Sequence, residues 1–197
     1  MVNLKDIQDA LKNIQPFVHK TPLIHSNSFS KLIGAEVYLK AENLQKTGSF
    51  KVRGAFNKLT GIKGGKVIAA SMGNHAQGVA FAANALGIHA KIVMPVTSPI
   101  VKQEATKSYG AEVVLHGETF SDALVHALSQ KDYTFIHAFD DEKVIAGQGT
   151  IGIEIIEDLK DIDFVIIPVG GGGLISGIAA AVKALSPQTR IIGVQTE

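Results

Sequence analysis

The chain has 197 residues, 46% of them apolar, which is enough to bury a sizeable core and too apolar for a disordered segment. Its 19 basic and 18 acidic residues leave a net charge of +1 with no run of like sign, so nothing points to a nucleic-acid partner. There is no cysteine, which excludes disulfides, zinc thiolates and a cysteine nucleophile. No apolar run approaches the roughly 18 residues of a membrane span, so a cytoplasmic protein with no membrane partner is expected.

Leu4, Ile7, Leu11 and Ile14 recur at helical spacing, an amphipathic pattern rather than a signal peptide, and Pro16 stops that helix. Residues 19–22 read as an extended linker, and 36–41 (EVYLKA) alternate like a strand. In 46–55 (KTGSFKVRGA), Gly48 suits a turn and Ser49 a helix cap. Val52, Ala55, Phe56 and Leu59 then continue at helical spacing. Lys51 therefore stands at the mouth of a helix, beside the aromatic Phe50. A partly desolvated lysine in such a place has a lowered pKa and a free amine, able to form an imine with a cofactor aldehyde. Read plainly, it is one of the 19 basic residues on a solvated face, and this stretch alone does not choose.

Residues 61–65 form a glycine-rich loop, and from 66 onward strands and helices alternate. A buried strand at 67–71 is followed by a helix over 73–87, with Val79, Ala83 and Leu86 on one face. A strand at 91–94 precedes a helix that Ser98 would cap, with Pro99 at its first position. A strand at 112–115, a helix marked by Phe120, Ala123, Leu124, Ala127 and Leu128, and a strand at 134–136 continue the rhythm. Residues 141–159 read as helical, with Gly147 and Gly149 as breaks. An apolar strand (164–169), a small-residue helix (174–185) and a last strand (190–195) complete the chain. Such alternation implies βαβ units, hence an α/β fold with parallel sheet.

Two stretches have a pattern suited to ligands. In PVGGGGLISG (168–177), Gly170, Gly171, Gly172 and Gly173 separate an apolar strand from a helix. Glycines let several N–H groups turn toward one anion, and the helix adds its positive end, so a phosphate dianion fits. The dinucleotide pattern G-x-G-x-x-G fails, because Ser176 stands at its last glycine, and no G-K-[S/T] follows for a nucleotide P-loop. A tight turn with no ligand is the plainer alternative. In SMGNHAQG (71–78), Ser71, Asn74 and the helix-start amides suit a carboxylate at the end of a parallel strand. There an ordinary helix start, with His75 a structural histidine, reads equally well. The seven histidines lack metal-ligand spacing and no metal is assigned.

Taken together, SFKVRGA, SMGNHAQGVA, VIAGQGTIGIEI and PVGGGGLISG resemble the threonine dehydratase and serine racemase family, pyridoxal phosphate enzymes of fold type II. The four motifs occur in order over nearly the whole chain, and the dehydratase branch is the nearer. The resemblance implies open twisted parallel sheets with helices on both faces, in two domains of the tryptophan synthase β-like kind. A large domain (1–65 plus 141–197) would be incomplete, and a small mobile one would span 66–140. It implies pyridoxal 5′-phosphate attached through Lys51, which would also move the Cα proton. Phe50 would lie against the cofactor ring, Asn74 would bond the ring hydroxyl, and Gly170, Gly171, Gly172 and Gly173 would bind the phosphate. Ser71, Asn74 and His75 would take the substrate carboxylate. The implied reaction is β-elimination of L-threonine to 2-oxobutanoate and ammonia, and of L-serine to pyruvate, by an enzyme that is a homo-oligomer when full length. Racemases of this group carry a serine where Met72 stands, and a thioether transfers no proton, so Met72 argues against the serine racemase alternative. From another class, a non-catalytic phosphate- or nucleotide-binding module would keep the fold. Family members continue beyond residue 197, so a truncated chain, poorly active alone, is expected.

Overall fold

The computed structural model describes residues 1–196. The amphipathic start forms helix α1 (Leu4–Ile14), closed at its N-terminus by a reciprocal Asn3–Asp6 capping box. Strand β1 (Leu23–His25), helix α2 (Asn27–Ile33) and strand β2 (Tyr38–Lys40) follow, and β1 pairs antiparallel with β2. After a short 3₁₀ turn comes helix α3 (Lys51–Leu59). Ser49 accepts a hydrogen bond from the Lys51 main-chain N–H at 3.2 Å, and Gly48 turns with φ +68°.

The alternating middle of the chain builds one four-stranded parallel sheet. Strands β3 (Lys66–Ala70), β4 (His89–Met94), β5 (Glu112–Leu115) and β6 (Thr134–Phe135) lie in the order β5–β4–β3–β6, in register at Val67↔Ala90, Lys91↔Glu112 and Val67↔Thr134. The connections are helices α4 (Asn74–Ala85), α5 (Ile100–Ser108) and α6 (Phe120–Ser129). Successive strand side chains take opposite faces. Val67 and Ala69 pack with Val52, Phe56, Val79 and Ala83, whereas Ile68 and Ala70 pack with Ala123 and Ala127. The sheet is thus covered on both faces, as a parallel sheet requires. Helix α5 departs from expectation at its start: Pro99 is the cap residue, and Ser98 makes no cap but directs its hydroxyl to the Met72 sulfur at 3.8 Å.

Helix α7 (Glu142–Asp158), strand β7 (Phe164–Pro168), helix α8 (Gly173–Leu185) and strand β8 (Arg190–Val194) complete the described chain, with β7 and β8 parallel. Gly147 and Gly149 do not break α7, which runs unbroken over all 17 residues. They serve helix contact instead. A Cβ on Gly147 would lie 2.6 Å from Gly54 Cα, and one on Gly149 would lie 2.9 Å from the Gly177 carbonyl oxygen. Helix α3 is consequently enclosed. Its residues Val52, Arg53, Gly54, Ala55, Phe56, Asn57 and Leu59 are all buried, and the Phe56 ring stacks on Phe17 with centroids 4.7 Å apart. Burying a side chain of that size contributes about 2–3 kcal/mol. No helix among the described residues is long and apolar enough to cross a membrane.

Candidate active site

Ligands of open α/β sheets bind outside the carboxyl ends of parallel strands. Here the loops that leave β6 and β7 meet at the first residue of α3, Lys51, and helix α4, which follows β3, packs against the same residue. The cavity at this point has a volume of about 280 Å³ and is lined by Phe50, Lys51, Phe139 and residues 168–175.

Lys51 is half-buried, and its Nζ donates to the Ala138 carbonyl at 2.7 Å, with the Phe50 ring centroid 5.4 Å away. Burial pushes its ammonium below the ordinary value of 10.5, and no carboxylate among the described residues offsets that desolvation. The amine is therefore easier to free than a surface lysine's, as nucleophilic or base chemistry requires.

On the opposite wall the four glycines link β7 to α8. Gly172 has φ +85°, a conformation L side chains rarely adopt, and a Cβ on Gly170 or Gly172 would meet nothing within 4 Å. The N–H groups of Gly170, Gly171 and Gly172 make no main-chain hydrogen bond to the rest of the described chain. With the free amides at the start of α8, they form a concave array of donors that suits a dianion.

Lys51, Phe50, Gly170, Gly171, Gly172 and Gly173 thus share one cavity, whereas Ser71, Asn74 and His75, where β3 leads into α4, do not line it. Asn74 is exposed, and the Ser71 hydroxyl accepts from the Gly73 N–H at 3.2 Å. The His75 ring turns into the core and donates from Nε2 to the Ile136 carbonyl at 2.9 Å. Burial pushes this imidazole down to about 4, so it is neutral at pH 7. What His75 has free for an anion is its main-chain N–H in the first turn of α4. One turn further on, α4 packs against the start of α3: a Cβ on Gly78 would be 3.2 Å from the Lys51 carbonyl carbon.

Sequence reasoning missed two features. Phe139 lies so close to the glycine loop that a Cβ on Gly171 would come within 2.3 Å of its ring. The available signal was its place just after a parallel strand. The other feature is Arg53, fully buried behind Lys51. It donates to Glu42 (2.8 Å), Glu154 (2.6 and 2.9 Å), Thr150 (3.1 Å) and the His19 carbonyl (3.2 Å). Lys40 joins through Glu154 at 2.8 Å. Burial alone would lower the guanidinium, but Glu42 and Glu154 outweigh it and hold its pKa above the ordinary value. This network ties α3 to α7 and fixes the helix that carries Lys51.

Comparison with known proteins agrees with this geometry. The sequence matches the family described as pyridoxal-phosphate dependent enzyme over residues 14–197. It is 51% identical over 204 residues to the L-threonine ammonia-lyase of Thermotoga maritima, covering 100% of this chain and 51% of that protein. The solved structure of the processed form of threonine deaminase isoform 2 from Solanum lycopersicum superposes with a TM-score of 0.93 at 46% identity, covering 97% of this chain and 55% of that one. Maize serine racemase gives a TM-score of 0.93 at 36% identity, covering 98% and 60%. The chain spans between 51% and 62% of the length of the curated relatives it matches first. With the fold, the lysine and the glycine cradle in agreement with a match that runs through nearly all of the sequence, the chain belongs to the pyridoxal-phosphate dependent enzyme family.

Proposed function

We propose that this chain serves the dehydration and deamination of L-threonine to 2-oxobutanoate and ammonia, and of L-serine to pyruvate. The observation that carries the reading is a desolvated amine, Lys51, in one cavity with an aromatic face and four consecutive glycines. These residues fit pyridoxal phosphate. The Gly170–Gly172 amides are free for its phosphate, Phe50 offers a flat apolar surface to its ring, and Lys51 offers an amine. When bound, the cofactor supplies an aldehyde for amines to condense with and a ring that takes up the electron pair left at Cα. The N–H groups at the start of α4, with Ser71 and Asn74, hold the substrate carboxylate. With the cofactor in place, the Lys51 amine would take the proton from Cα and return it to the departing β-hydroxyl, which would leave as water, and hydrolysis of the released enamine would give the keto acid and ammonia. The identity to an L-threonine ammonia-lyase supports the substrate class.

Racemisation needs a second proton-transfer group, and Met72, 42% exposed beside the α4 loop, has none to offer. Containment of the four-stranded sheet within 66–135 supports residues 66–140 as a mobile unit against 1–65 plus 141–197. Its motion involves the α3–α4 contact that crosses the boundary.

The test is the Lys51→Ala variant with added pyridoxal phosphate. Visible absorbance and keto-acid release should vanish while circular dichroism is unchanged. Absorbance that persists, and that borohydride traps on another lysine, would refute the reading. A non-catalytic binding module would show no visible band in the parent chain.

A further inference from the structure

We propose that His137 is a positioning residue that holds the Ala138 carbonyl against the Lys51 amine. The inference rests on the reading of Lys51 as the residue that joins the cofactor and moves the Cα proton. Sequence reasoning left His137 as one of seven histidines without a role.

His137 follows β6, where the chain turns toward α7. Its Nδ1 accepts two main-chain hydrogen bonds, from the Phe139 N–H at 3.3 Å and the Asp140 N–H at 2.7 Å. A ring nitrogen that accepts carries a lone pair, so the proton of the neutral imidazole is on Nε2. Asp141 makes the same pattern at the start of α7, where one carboxylate oxygen accepts from the Lys143 N–H at 2.9 Å and the Val144 N–H at 3.1 Å. The imidazole thus does for residues 137–140 what an Asp or Asn side chain does in a turn.

That turn sits between the two halves of the cavity. On one side the Ala138 carbonyl takes the Lys51 Nζ hydrogen bond at 2.7 Å. On the other, Phe139 fills the space beside the glycine loop: a Cβ on Gly173 would lie 2.8 Å from the Phe139 carbonyl oxygen. The His137 and Phe139 rings meet edge to face, centroids 4.7 Å apart, so ring and acceptor brace the same two residues. A lysine side chain has many rotamers, and one fixed acceptor selects among them. Both tasks assigned to Lys51, addition to an aldehyde and removal of a proton, need its lone pair aimed at one atom. Glycine loop and lysine are each fixed by their own elements; the Ala138 carbonyl is fixed by His137.

The experiment compares the parent chain with His137→Phe, which keeps a ring but has no acceptor, and His137→Asn, whose amide oxygen can accept in the same turn. Two quantities are measured on each. One is the first-order rate, at saturating pyridoxal phosphate, at which the visible band of the Lys51 adduct appears. The other is the Kd for pyridoxine 5′-phosphate, which has no aldehyde and reports the cradle alone, by calorimetry. The Phe variant should form the adduct about tenfold more slowly, with Kd within about twofold of the parent, and Asn should restore the rate. A Phe variant at the parental rate, or an Asn variant as slow as Phe, would overturn the proposal. Should His137→Phe fail to fold, His137→Leu is read in its place. If neither folds while Asn does, the role is structural only and the proposal falls. A parent chain that binds pyridoxine 5′-phosphate yet forms no adduct at Lys51 fails differently, by refuting the proposed function itself.

Discussion

His75 and Lys51 sit on adjoining helices, and burial acts on both in the same sense, favouring the neutral form. For His75 this has a consequence for stability. Its value falls from 6.5 in the unfolded chain to about 4 in the fold, which corresponds to roughly 3 kcal/mol. In that window the unfolded chain binds the extra proton, so stability is fully present above pH 6.5 and is lost as pH falls toward 4. His75→Gln keeps a donor for the Ile136 carbonyl but cannot titrate. The melting temperature of the parent should drop relative to this variant between pH 6.5 and pH 4, and parallel pH profiles for the two would refute the assignment. At this scale the sequence was readable where chemistry has a run of its own: a lysine behind Phe50, four glycines in a row. It was unreadable where the partner is remote. Phe139 reaches Gly171 only through the fold, and Arg53 shows its role only beside Glu154.

Among the elements, the long helices and the parallel strands were legible because apolar periodicity and burial agree. Strand β1 and helix α2 were not seen. Leu23–His25 is too short to alternate, and α2 leaves Phe29, Leu32 and Ile33 exposed at 52%, 77% and 62%, so apolar spacing there does not report burial. Gly147 and Gly149 misled for a physical reason: glycine weakens a helix by propensity, and here its missing side chain is what lets α7 touch α3 and α8. The two effects predict opposite signs for Gly147→Ala. Propensity alone would stabilise by about 1 kcal/mol. The Cβ would however lie 2.6 Å from Gly54 Cα and 2.7 Å from the Arg53 carbonyl oxygen, both backbone atoms that cannot swing away. Overpacking of that kind costs about 1–3 kcal/mol or more, so a net loss in chemical denaturation is expected, together with weaker cofactor binding because α3 moves. A stabilised variant would contradict the contact.

At the scale of the whole molecule, one continuous apolar surface is the outer face of the β7–β8 sheet. Val165 and Ile167 point into the core, while Phe164, Ile166, Ile192 and Val194 remain 47%, 65%, 38% and 54% exposed. A parallel sheet is ordinarily covered on both faces, so this one is adhesive. The chain should self-associate as its concentration rises, and Ile166→Thr with Ile192→Thr should weaken that at least about tenfold, given 1.5–3 kcal/mol for burying each such side chain. Sedimentation velocity would show it, and an unchanged association constant would exclude this face.

The Arg53 network has a consequence in time as well as in space. Glu42 lies 11 residues before Arg53, but Glu154 comes 101 residues after it. At synthesis speeds of about 5–20 residues per second, the second carboxylate emerges roughly 5–20 s after the arginine. Until then the guanidinium lacks one of its two counter-charges, and enclosing it costs several kcal/mol. The helix that bears Lys51 is therefore among the earlier parts of the nascent chain to be made and among the later ones to be locked in place.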